Sequence, residues 1–147
     1  MEQVSGNIYK SARLTAGLTQ ERWSEYLGIS PDSVRRYESG EMLPGDEVVI
    51  RMAEVSGQMI LPYWHLIRKS RVAAAILPEL QEEKALPEAV LGLLVTIDDF
   101  REKGMKKLLR IAADGKIDAA EEDDYRQACG ELTELIRRAY ALRCAKD

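Results

Sequence analysis

Glycines punctuate the first 57 positions of the chain at short, nearly regular intervals, and this rhythm limits what the chain can fold into. Gly17, Gly28, Gly40 and Gly57 each close a stretch of mixed apolar and polar residues, while Thr19, Ser30 and Pro44-Gly45-Asp46 each open the next one. Glycine ends helices because it takes a left-handed backbone without steric cost, and hydroxyl or carboxylate side chains accept the free N–H groups at helix starts. The spacing therefore predicts five short helices: Ile8 to Ala16, Thr19 to Leu27, Ser30 to Ser39, Asp46 to Val55, and Leu61 to Ser70 with Pro62 near its start. Pro31 suits the first helical position after Ser30, where no N–H is needed. No segment alternates apolar and polar residues with a period of two, so no sheet is expected.

The second half is also helical in pattern, with longer pieces. Arg71 to Lys84 is rich in alanine and glutamate, but Pro78 predicts a break. A helix is expected from Pro87 to about Glu102, ended by Gly104. Between Ala89 and Val95 it is apolar nearly all round, which marks deep burial or a partner. Met105 to Ala113 follows, then a tight corner at Asp114-Gly115, with Ile117 as its anchor and Asp118 and Glu121 as a capping box. A long helix from Ala119 to about Ala145 carries Tyr125, Ala128, Leu132, Leu135, Ala139 and Leu142 at steps of three and four, widened by Cys129 and Ile136. That spacing suits a bundle or a helical dimer seam. The boundary falls between 68 and 86, giving domains 1–70 and 71–147.

Composition excludes several classes of function. The net charge is −4, and residues 1–70 carry eight Lys/Arg against nine Asp/Glu. The bulk charge does not announce nucleic acid, so only a local gathering of basic residues can do so. Cys129 and Cys144 lie 15 residues apart in one helical stretch and, with a single histidine elsewhere, make no zinc set; two reduced thiols are expected. His65 sits among Trp64, Leu66 and Ile67, as a packed histidine does. Residues 114–121 have the acid spacing of the end of a calcium loop, but Arg110 and Ala112 occupy the first ligand places. No catalytic constellation, phosphate-binding glycine loop or metal cluster is present, so neither an enzyme nor a cofactor is expected. With no apolar leader and no apolar run approaching 18 residues, no membrane is expected either, and placement is expected to be cytoplasmic.

The pair of helices at 19–27 and 30–39 carries the functional signal. Gly28-Ile29-Ser30 joins them tightly. Trp23 and Leu27 share one face of the first, Val34 and Tyr37 share one face of the second, and Ser24 is small enough for close contact. The outer face of the second helix shows Asp32, Ser33, Arg35 and Arg36. One side made for a core and the other for a groove is the pattern of a helix-turn-helix.

The phrases LTQERWSEYLGIS (18–30), SVRRYESGE (33–41) and IRMAEVSG (50–57) resemble the Cro/phage-repressor (XRE-type) helix-turn-helix family over residues 8–57, under half of the chain. The resemblance implies an all-α protein: a five-helix phage-repressor-like domain followed by a helical bundle or dimerisation region. It implies that Gln20 fixes the DNA backbone and that the third helix is the recognition helix. Its reading positions are then Pro31, Asp32, Ser33 and Arg35, and Arg36 matches an arginine that steadies phosphate contacts or the fold; Arg22 is, by its charge, a further candidate for a phosphate or base contact. Arg13 and Glu38 match a structural salt bridge between the first and third helices. Arg35 suits a guanine edge, because a guanidinium matches O6 and N7 with two parallel N–H groups. The sequence departs from the pattern at Pro31, which cannot hydrogen-bond a base, at Asp32, which repels phosphate, at Arg22-Trp23 and at Ser56. The function implied is a sequence-specific regulator of transcription on double-stranded DNA, a dimeric repressor reading a near-palindromic operator and joined through its C-terminal helices. The alternative is a protein-interaction or effector-sensing helical module with weak or no DNA binding.

Overall fold

The computed structural model describes residues 6–80 and 84–145. The protein is all-α. Its helices are α1 (Ile8–Thr15), α2 (Gln20–Leu27), α3 (Pro31–Ser39), α4 (Asp46–Ser56), α5 (Leu61–Lys69), α6 (Arg71–Ile76), α7 (Leu86–Asp99), α8 (Met105–Ile111) and α9 (Glu122–Arg143), with a π-helical turn, Phe100–Gly104, between α7 and α8. The chain divides into two compact units, with the division between Leu80 and Lys84.

In the first unit, α1 to α5 surround a core of Ile8, Ala12, Trp23, Leu27, Val34 and Met52, all essentially sealed from solvent. The sequence punctuation works as expected. Asn7, Thr19, Ser30 and Ser70 cap α1, α2, α3 and α6 with their side chains. Gly28, Gly40 and Gly57 close α2, α3 and α4 in the left-handed region. Pro62 sits in the first turn of α5. Trp23 fits the core, but its Nε1 finds no acceptor there, a cost that its apolar burial outweighs.

The expected break at Pro78 is present: α6 stops at Ile76, and the chain runs on non-helically to Leu80. Two side chains of α5 hold that strap. The Tyr63 hydroxyl donates to the Pro78 carbonyl at 2.5 Å, and Trp64 Nε1 donates to the Leu80 carbonyl at 2.6 Å. The residues just beyond Ser70 are thereby built into the first unit. Residues 81–83, which fall in the stretch read as helical from composition, lie outside the described residues.

His65 is buried, as its apolar neighbours implied. Its Nδ1 pairs with the Tyr9 hydroxyl at 2.8 Å and its Nε2 with Asp46 at 3.2 Å, so α5 is tied to α1 and α4 at once. Lys69 adds a 2.6 Å contact to the same Asp46 oxygen. The hydrogen bonds from Lys69 and His65 hold the Asp46 carboxyl below its ordinary value, while burial pushes the Tyr9 phenol up.

The second unit is a helical hairpin in which α7, the π turn and α8 run against α9. Small residues, Ala89 on α7 and Ala128 on α9, are buried where the helices pack. Three sequence expectations are corrected here. Gly104 does not end a helix: the chain passes through it in a π turn, and its missing side chain makes room for the Phe100 ring and the Glu131 carboxylate. Ile117 does not anchor the corner; it is 47% exposed. The long helix starts at Glu122 rather than Ala119, although the capping box forms just before it. Glu121 N–H donates to Asp118 at 2.9 Å and Asp118 N–H donates back to Glu121 at 3.4 Å. No disulfide joins Cys129 and Cys144. Among the described residues, no group of three His, Cys, Asp or Glu side chains is placed to hold a metal, and no helix is long and apolar enough to cross a membrane.

Candidate nucleic-acid interface

The turn between α2 and α3 is set by backbone chemistry. Gly28 takes φ +65°, which a residue with a Cβ adopts only under strain. The Ile29 N–H then reaches back to the Ser24 carbonyl at 3.1 Å, and Arg51 of α4 donates to the Leu27 carbonyl at 2.6 Å. Both contacts satisfy carbonyls at the end of α2 that the helix itself leaves open. Ser24 is buried, in keeping with the close contact its size allows, and its hydroxyl donates to Glu21 O at 2.6 Å.

Ser30 starts α3 by accepting the Ser33 N–H at 3.1 Å, and the Ser30 and Ser33 hydroxyls share a 2.9 Å bond. Val34 and Tyr37 bury the inner face of α3. Asn7 fixes the far end: its Oδ1 caps α1 and its Nδ2 donates to the Tyr37 carbonyl at 2.6 Å. With both ends and the inner face held, the outer face of α3 is free for a ligand. Pro31, Asp32, Arg35 and Arg36 are exposed there, and Ser33 is half-buried.

Arg13 and Glu38 form a fork. Arg13 Nε and Nη2 donate to the two Glu38 oxygens at 2.6 and 3.0 Å, and Nη1 donates to the Leu18 carbonyl at 2.8 Å. Their side chains are only 9% and 6% exposed. The hydrogen bond from Arg13 to Glu38 raises the guanidinium above its ordinary value, so it stays charged. Sequence reasoning missed a third member of this group: Gln20 Nε2 donates to Glu38 at 2.8 Å. The Gln20 amide is therefore locked at the start of α2 by the same carboxylate that braces α1 against α3. Nothing in the spacing of residues 20 and 38 signals this contact, which the fold alone creates.

The three arginines of the pair each meet a carboxylate. Arg35 contacts Asp32 at 2.8 Å, Arg36 contacts Glu41 at 3.4 Å, and Arg22 contacts Glu25 at 2.6 Å while lying 5.8 Å over the Tyr26 ring. Glu21 is held below its ordinary value by its own backbone N–H and the Thr19 hydroxyl. Residues 20–41 carry three arginines against five acids, so the pair brings placement rather than bulk charge to a duplex.

Two short helices at a glycine turn, the second sealed on one side and open on the other, define a helix-turn-helix unit. Residues 10–57 match the Helix-turn-helix family, and this stretch is a Cro/phage-repressor (XRE-type) DNA-binding domain, a fold that binds DNA and has no catalytic role. No curated protein and no solved structure gives a significant match to the chain.

Proposed function

We propose that the protein is a dimeric, sequence-specific regulator that reads a near-palindromic operator, most simply as a repressor. The helix-turn-helix domain supports a DNA-binding regulatory role. The observation that carries the finer reading is the outer face of α3, with Pro31, Asp32 and Arg35 exposed on a helix whose other side and both ends are fixed. In this reading Arg35 meets a guanine edge, Pro31 and Ser33 lie against neighbouring bases, and Gln20, Arg22 and Arg36 meet the backbone. One such module has a small footprint, and two copies set one helical turn apart read a symmetric site.

The second unit supplies the pairing. Leu91, Leu94, Val95 and Ile97 on α7, and Tyr125, Leu132 and Ile136 on α9, are 36–63% exposed. On α9 these residues and Cys129 step by four, three and four, a partly exposed stripe beside the buried Ala128. Covering all seven in a second copy stabilises the pair by roughly 5–10 kcal/mol per chain, at about 1.5–3 kcal/mol per fully buried side chain. Over two chains that is about 10–20 kcal/mol, set against an association cost of about 4–15 kcal/mol.

The test is selection from a random duplex pool with the full chain at about 100–150 mM salt, a range in which phosphate contacts no longer mask base readout. An enriched palindrome that Arg35→Ala loses is the expected result. No enrichment by folded protein refutes the operator reading and favours a protein-interaction module, which the acid excess of residues 20–41 would then explain.

A further inference from the structure

We infer that Asp32 is a specificity-determining residue that positions Arg35 for a guanine, rather than a passive acid on the reading helix. The inference rests on the operator reading above. Three observations carry it.

First, Asp32 Oδ1 accepts from Arg35 Nη2 at 2.8 Å, across one turn at the start of α3. A guanidinium presents five N–H donors in a plane. An acid on one hydrogen of Nη2 leaves the other hydrogen of Nη2 paired with a neighbour, either Nε–H or an Nη1–H. Whichever hydrogen Asp32 takes, one complete two-pronged edge remains for guanine O6 and N7. The carboxylate thus fixes the direction of the guanidinium without consuming its reading edge.

Second, the pair is exposed, at 63% and 64% for Arg35 and Asp32. An exposed pair of this kind contributes little to folding. Its effect is felt when α3 enters a groove and the guanidinium must give up water. A side chain already held in one orientation loses less freedom on binding than one that must be ordered.

Third, Asp32 is the side chain that hydrogen-bonds Arg35 among the described residues, while Glu21 of α2 feels the Arg35 charge without bonding to it. Ser33 is tied to Ser30, Arg36 reaches Glu41, and Glu38 is taken by Arg13 and Gln20. Of the polar side chains on α3, Asp32 alone contacts Arg35 among the described residues.

Asp32 also carries a negative charge towards the phosphates, and the two roles pull in opposite directions. As a mere repeller, Asp32 lowers affinity for every sequence alike. As a positioner, it raises the preference for guanine over other bases at one position in each half-site, whatever its effect on overall affinity.

The experiment uses the full chain and the duplex enriched by selection, together with variants that replace each guanine of the half-site in turn. Affinities are measured for wild type, Asp32→Ala, Arg35→Ala and the double variant, with circular dichroism confirming that each is folded. The expected result is that Asp32→Ala reduces discrimination at one guanine by at least tenfold, and that this loss disappears in the Arg35→Ala background. Affinity for the substituted duplexes stays level or rises, because a charge has been removed. Unchanged discrimination, with equal tightening for all duplexes and a steeper salt dependence, overturns the inference and leaves the operator reading intact. Equal loss of discrimination in the presence and absence of Arg35 also overturns it. If selection enriches no sequence at all, the operator reading falls and the inference falls with it.

Discussion

Truncating Arg13 to alanine tests whether the fork between α1 and α3 is a brace. The variant strips Glu38 of two hydrogen bonds, at 2.6 and 3.0 Å, and leaves the carboxylate with Gln20 alone. It also frees the Leu18 carbonyl. Because both side chains are more than nine-tenths buried, this is the costly case, in which one partner of a sealed pair is removed. The expected loss is about 3–5 kcal/mol. For a unit of this size each kcal/mol moves the melting point by roughly 4–8 °C, so Tm falls by at least about 12 °C. The exposed pair of Arg22 and Glu25 is the internal control, and Arg22→Ala costs no more than about 1 kcal/mol. Replacing both members of the fork, Arg13→Met with Glu38→Leu, recovers most of the loss, since no unpaired charge remains. Both tryptophans, Trp23 and Trp64, belong to the first unit, so urea unfolding followed by their fluorescence reports this unit selectively. An Arg13→Ala cost below about 1 kcal/mol, or a double variant whose loss equals the sum of the singles, refutes the reasoning.

Three further variants test the packing. In Gly104→Ala the new methyl meets the Phe100 ring at 2.5 and 2.7 Å, so the second unit loses about 1–3 kcal/mol, read by circular dichroism in urea; a wild-type transition contradicts it. Tyr9→Phe leaves buried His65 Nδ1 without its 2.8 Å partner, at about 1–3 kcal/mol near neutral pH. Burial raises the Tyr9 phenol above its ordinary value of 10.0, so the native state keeps a proton that the unfolded chain gives up. That contribution is complete below the ordinary value and is lost as pH rises through the native one, so Tyr9→Phe should flatten the alkaline limb of the stability curve, and an unchanged limb refutes the assignment. Ile136→Glu puts a charge on the α9 stripe; sedimentation should show the dimer giving way to a folded monomer, and an unaltered dimer would move the seam elsewhere.

Most of the first unit was legible because its signals are local. Ser30-Pro31 starts a helix and Gly28 ends one by their own backbone chemistry, and Trp23, Leu27, Val34 and Tyr37 follow the helical period into the core. The Arg13–Glu38 pair was legible through resemblance, whereas the part played by Gln20 was not. Contacts between distant residues leave no period: Tyr9 and His65 are separated by 56 positions, and only the fold brings them together. Gly104 misled for a related reason. The ordinary meaning of glycine at a helix end is conformational, yet here it is spatial, giving room to Phe100 and Glu131. The apolar girth of Ala89 to Val95 was read as deep burial or a partner. Within one chain Ala89 is buried while Leu91 and Val95 remain open at 63% and 62%, and the pairing proposed above would cover them.

The acid beside each arginine of the helix-turn-helix also bears on how such a protein searches a genome. Tight non-specific binding comes from displacing ions condensed on the duplex, and a protein surface that carries its own counter-charges displaces few. Such a molecule spends little time sliding on irrelevant DNA and moves between sites mainly through solution. The great excess of non-cognate sequence then holds back only a small share of the copies. On the proposed operator reading, occupancy of the cognate site would then follow the total amount of protein closely, so a modest change in synthesis or turnover would be felt there without first having to saturate the chromosome.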